Sequence, residues 1–82
     1  MNDRNAGNGY ERARTILAEA LNLEAAAIDA DASIMTLEAW DSLAHMRLIA
    51  AVEADLAVQL EPDAIVSIGS LADVVKIIED HG

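Results

Sequence analysis

The chain has 82 residues, 15 acids against 5 bases for a formal charge of -10, and no cysteine. At this length it is one domain that buries only about 60 to 65% of its unfolded surface, and it has neither a disulfide framework nor a thiolate metal site. Its acidity repels nucleic-acid phosphates and anionic lipid, and no stretch reaches the roughly 18 apolar residues of a membrane span, so neither nucleic acid nor membrane is an expected partner.

Hydrophobic residues make up 54% of the chain but aromatics only 2%, so Ala, Leu, Ile and Val must fill the core, a palette that favours packed helices. No basic N-terminal segment followed by an apolar run marks secretion, and a cytoplasmic protein is expected. The same acidity, with no obvious surplus apolar face, predicts a monomer. It also calls for partners with basic patches, although surplus acid equally serves solubility.

Residues 1–9, MNDRNAGNG, are polar and have nothing to bury, which predicts a frayed tail ahead of a domain over 10–82. Ala13, Ile16, Leu17, Ala20 and Leu21 recur at the spacing of one helical face, with Glu11, Arg12, Arg14 and Glu19 opposite. They predict a helix over 10–21 that ends at Asn22 as a C-terminal cap. The connection that follows, to about residue 39, is long for a helical domain and must be functional or locally structured. Leu23 and Ile28 look like its anchors, and Ile34, Met35 and Leu37 should pin it down.

A second helix is predicted over 42–56, with Leu43, Met46, Leu48 or Ile49, Val52 and Leu56 as a broad apolar surface. Asp41 suits its N-cap, accepting a hydrogen bond from the N–H of Leu43 or Ala44. Pro62 can open a short turn at 63–67, which Gly69 ends. Ser70 and Asp73 resemble a capping box, with Asp in place of Glu or Gln. The last helix then runs over 71–79 with Leu71, Val74, Val75 and Ile78 inward, and His81 and Gly82 should fray. The expected fold is all-α, a small four-helix bundle with a long loop between helices 1 and 2 and a short helix 3.

The chemistry centres on Trp40-Asp41-Ser42-Leu43. As a catalytic set, Asp41, Ser42 and His45 are poorly arranged: Ser42 and His45 can touch at i and i+3, but a capping Asp41 is committed to the backbone. No glycine-rich elbow precedes the serine, and a bundle this small leaves little room for a substrate pocket. No catalytic residue and no metal site is expected, and His45 reads as a solvated side chain. As an attachment point the serine is better placed. Its hydroxyl projects into solvent, where a phosphate would meet unpaired N–H groups and the positive end of the helix dipole. A plain first-turn serine stays open as the alternative.

Leu37-Glu38-Ala39-Trp40-Asp41-Ser42-Leu43, midway along an acidic chain and between a long loop and a helix, resembles the acyl carrier protein family over about residues 10–80. The form with Leu-Glu-x-Trp ahead of Asp-Ser-Leu is similar to free-standing carriers of specialised pathways. The resemblance implies that Ser42 bears 4'-phosphopantetheine drawn from coenzyme A, that Asp41 assists the transferase and its magnesium, and that Leu43 helps form the partner surface. It implies no enzymatic activity, but an acyl or aminoacyl group held as a thioester. The implied partners are a phosphopantetheinyl transferase, a loading ligase and enzymes that process the cargo.

Trp40, His45, Met46, Arg47 and Glu53 are the expected docking residues, with Trp40 also a candidate for packing over the loop. Ala44, Arg47 and Ala54 stand where fatty acid carriers commonly have acids, leaving Glu53 and Asp55, so partner choice should differ. By the same resemblance Ile49, Ile65 and Ile68 are candidate contacts for the arm or the acyl chain, and a bulky Ile65 should narrow any cavity, favouring short, polar or aminoacyl cargo. Two readings compete with the carrier: an acidic helical interaction domain whose serine is never modified, and a small hydrolase using Ser42 and His45.

Overall fold

A computed structural model describes residues 3–81 as an all-α bundle in the order α1 (Asp3–Leu21), a 3-10 turn (Ala25–Ala27), α2 (Ser42–Leu56), α3 (Pro62–Ser67) and α4 (Leu71–His81). The expected fold class holds, with a long loop between the first two helices and a short third one. Among the described residues no helix is long and apolar enough to cross a membrane.

The core is built from the face that the helical spacing picks out. Leu17, Ile28, Leu48, Val52, Leu71, Val74 and Ile78 are its largest fully enclosed side chains. Each contributes about 1.5–3 kcal/mol by leaving water. α1 packs against both α2 and α4.

α1 begins at Asp3, ahead of the start at Tyr10 that the helical spacing predicts; Met1 and Asn2 lie outside the described residues. The reason is packing that overrides propensity. Gly9 is buried, and a Cβ there would lie 2.9 Å from Cγ of Glu79, so the bare glycine lets α1 run close beside α4.

Asn22 ends α1 as expected. It adopts φ 60°, and the N–H groups of Asn22 and Leu23 return to the carbonyls of Glu19 (3.2 Å) and Ala18 (2.8 Å), the paired bonds that close a helix through a left-handed residue.

The long loop is locally structured. Its 3-10 turn delivers Ile28 to the core, and Arg14 Nε donates to the Ile28 carbonyl at 3.2 Å, clasping the loop to α1. An isolated antiparallel bridge then pairs Ser33 with Ser70: the Ile34 N–H donates to the Gly69 carbonyl at 2.9 Å and the Leu71 N–H to Ala32 at 3.0 Å. Ala32 and Trp40 are buried and Leu37 is half-buried, whereas Ile34 and Met35 are exposed, Met35 at 89%. The expected pins Ile34 and Met35 therefore do not pin. The bridge fixes the backbone here and turns these two side chains outward.

The Ser70 hydroxyl accepts the Asp73 N–H at 3.2 Å and the Asp73 carboxylate accepts the Gly69 N–H at 2.8 Å, closing the capping box one residue upstream of the usual partner. At its other end α4 includes His81, whose ring N–H donates to the Ile77 carbonyl at 3.0 Å; Gly82 lies outside the described residues.

Candidate functional site

Ser42 is the first residue of α2 and is exposed. Asp41 before it is extended (φ -99°, ψ -172°), its carboxylate accepts the Ala44 N–H at 2.9 Å, and its carbonyl accepts the His45 N–H at 2.8 Å. The cap is the one expected, with Ala44 as donor. It leaves the first-turn N–H groups of Ser42 and Leu43, which a helix cannot satisfy internally, beside the serine hydroxyl.

Trp40 turns inward and is only 2% exposed, so its place among the docking residues is corrected in favour of packing. Its Nε1–H donates to Nδ1 of His45 at 3.0 Å, with the rings stacked at 24° and 6.2 Å between centroids. The other ring nitrogen of His45, Nε2, lies 3.0 Å from the carbonyl of Ile65 on α3. A carbonyl only accepts, so Nε2 carries the proton and Nδ1 does not: the imidazole is neutral and both its nitrogens are engaged. His45 is thus neither the expected solvated side chain nor a free docking group. It has no nitrogen left to take a proton from Ser42, which removes the hydrolase reading. Nor is any polar or charged residue buried among the described residues, so the site lacks the desolvated acid or base that such chemistry uses.

Beside the serine runs a groove of about 590 Å³. Trp40, Asp41, Ser42 and His45 line it. Ile34, Met46, Ile65 and Val66 form apolar walls. The five exposed large hydrophobics of the described chain are Ile34, Met35, Leu43 (61%), Met46 (60%) and Val66 (81%), and all of them line this groove or neighbour a residue that does. Such clustering marks a surface that meets something else.

Other expected site residues divide. Leu43, Met46 and Arg47 are exposed on α2, and Ile65 lines the groove. Ile49 and Ile68 are buried in the core, where only a chain that enters the bundle would meet them. Glu53 accepts the Leu60 N–H at 2.8 Å, so it clasps the α2–α3 connection and is not a free docking acid. Ala44, read as a surface position, is buried against the core. Ile34 and Val66 were missed. For Val66 a signal existed: Ile65 in the short helix and Ile68 just past its end are the apolar positions spaced to face inward, which turns Val66 between them outward.

Residues 11–78 match the family model described as the phosphopantetheine attachment site. The chain is also 33% identical over 72 residues to the acyl carrier protein of Helicobacter pylori strain G27, spanning 88% of this chain and 92% of that protein. The match to the same protein from strain HPAG1 is equal, and that from strain J99 is 32% identical over the same share. The chain belongs to the acyl carrier protein family.

It is accordingly a carrier and not a catalyst, it bears covalent 4'-phosphopantetheine, and it meets a phosphopantetheinyl transferase and acyl-processing enzymes. The site suits that group. An exposed hydroxyl can form the phosphodiester, first-turn N–H groups stand beside it for the phosphate, and the adjoining apolar groove can receive the arm.

Proposed function

We propose that Ser42 is the attachment residue and that the protein, a cytoplasmic monomer, carries an acyl or aminoacyl group as a thioester for a specialised biosynthetic pathway. The observation that carries this reading is the exposed Ser42 at the capped start of α2, opening onto the groove of Ile34, Met46, Ile65 and Val66. When bound, the prosthetic group supplies a thiol whose thioester transfers acyl groups readily because thiolate is a good leaving group.

The remaining work falls to the chain. Ser42 Oγ holds the phosphodiester. The first-turn N–H groups and the helix dipole favour the phosphate charge there. Asp41 fixes the first turn through its bond to the Ala44 N–H, so the hydroxyl is presented in one direction to the transferase.

The dedicated pathway is supported by the charges of α2. Its acids are Glu53 and Asp55: Glu53 is occupied by the Leu60 N–H and Asp55 pairs with Arg12 of α1. Arg47 is the charged side chain of α2 that makes neither an ion pair nor a side-chain hydrogen bond among the described residues. The partner surface is then Leu43 and Met46 with a cation beside them, which suits an apolar socket bordered by a carboxylate and disfavours a strongly basic patch. Loading and elongation by the enzymes of primary fatty acid synthesis should be poor.

Incubation with coenzyme A and a broad-specificity phosphopantetheinyl transferase, followed by intact-mass measurement, tests the attachment. One added phosphopantetheine, lost in Ser42→Ala, is expected. No gain under several transferases, or a gain that survives Ser42→Ala, would overturn it.

A further inference from the structure

α3 is the most loosely seated helix of the bundle. None of its residues is fully buried: Ile65 is half-buried and Val66 stands out in solvent. It has no close packing with α1 or α4 of the kind that joins those two. Its flanks are held, by the Leu60 N–H on Glu53 and by buried Ile68. Between those flanks Ile65 packs against the core, and the polar link from α2 to α3 among the described residues is one side chain, His45, whose Nε2–H reaches the Ile65 carbonyl at 3.0 Å.

That contact is unusually well aimed. The imidazole is oriented from behind by buried Trp40, whose indole N–H occupies Nδ1 at 3.0 Å and so fixes both ring direction and tautomer. The relay runs from the residue two before Ser42, through His45 three after it, to the backbone of α3. Trp40 and His45 both line the groove, whereas Ile49 and Val52 of α2 are buried and do not.

With Ser42 as the attachment point, as proposed above, we propose that His45 is a specificity-determining gate: it closes the seam between α2 and α3, so that cargo lies in the surface groove and not inside the bundle. The cargo class is a short acyl group, which the groove walls of Met46, Ile65 and Val66 can cover, while the outer carbons of a longer chain stay in water. His45 touches no reacting atom in this scheme. It acts by positioning α3.

The test uses isotopically labelled protein as wild type, His45→Ala and His45→Gln, the last keeping one acceptor and one donor on the side chain. In the unmodified protein, hydrogen exchange at the Ile65 amide, bonded to Glu61 at 3.0 Å, should rise at least tenfold in His45→Ala, with α1 and α4 amides unchanged. His45→Gln should recover most of the protection. The sole tryptophan should report the same opening as a red shift in emission.

After modification and loading with acetyl or octanoyl groups, the Ile49 and Val52 methyl resonances should ignore chain length in the wild type and respond to octanoyl in His45→Ala. Unchanged Ile65 exchange in a folded His45→Ala would overturn the gate. So would octanoyl-dependent shifts of those methyls in the wild type, a measurement that needs no variant. Intact mass before loading judges the attachment at Ser42 separately, because the exchange experiment reads the unmodified protein.

Discussion

The two sides of this bundle treat hydrophobic residues in opposite ways. On the α1–α4 side, Ala13, Leu17, Leu71, Val74 and Ile78 are sealed from water, and even Gly9 is used to bring the helices close. Toward the start of α2 and α3, Ile34, Met35, Leu43, Met46 and Val66 are left exposed, and α3 buries none of its residues fully. The first side supplies the folding energy; the second keeps an apolar surface open around a serine. A small carrier that must present its arm to several enzymes needs both, and the chain keeps them apart, so that partner surface can vary without loss of fold.

Leu17→Ala should show the contrast at its largest. Removing a fully buried Leu costs about 2–5 kcal/mol, a large share of the roughly 5–15 kcal/mol that holds a domain together, and urea denaturation should show a sharply lower midpoint. Val66→Ala, measured alongside, should stay within about 0.5 kcal/mol. Comparable losses at the two positions would erase the division between the sides.

Smaller effects should come from the ends of α2. Asp41→Ala removes the cap on Ala44 and should cost about 1 kcal/mol, while slowing modification at Ser42 because the first turn frays. At the other end Ala57 sits at φ 58°, accepting a left-handed conformation to let α2 finish, with the Val58 N–H on the Glu53 carbonyl at 3.1 Å. Ala57→Gly relieves that conformation, less the added freedom of the unfolded chain, and should stabilise by about 0.5–1 kcal/mol in the same titration. A loss of stability there would show that the turn depends on the Ala57 methyl.

Much of the α1–α4 side was legible in the sequence, because one face at helical spacing names its own core and Asn22, Asp41 and Ser70 are local signals that need nothing distant. The site side was legible only where its signals are local. Ser42 and its cap follow from the motif, but the direction of Trp40 depends on how a long loop closes through a bridge to Ser70. Once Trp40 points inward, His45 changes from a solvated side chain to a latch. Glu53 likewise looks like a surface acid until the chain folds back and brings the Leu60 N–H to it. The helical start at Asp3 escaped for a related reason. Nothing local favours a helix through Asn and Gly, and the close approach to Glu79 that holds Gly9 is made across the whole chain.

The smallest expected stability change is the one that most sharply divides the two sides. Met46 is 60% exposed on α2, walls the groove, and is tied to no polar partner. Met46→Ser removes an unbranched, adaptable apolar side chain without opening a cavity, so its unfolding midpoint should match the wild type within about 0.5 kcal/mol. Phosphopantetheine transfer should nevertheless slow severalfold through a raised KM, since a partially exposed apolar contact is worth about 1 kcal/mol or a little more when a partner covers it. Arg47→Glu, the next residue after Met46 and about a quarter of a turn from it along the same helix, changes charge instead of apolar area. It should therefore move salt dependence and association rate more than the KM measured at high salt. If Met46→Ser instead lowers stability as Leu17→Ala does, the exposed residues are part of the core and the groove is not a partner surface. Unchanged stability with unchanged transfer would mean that the transferase reads the start of α2 without touching its apolar wall.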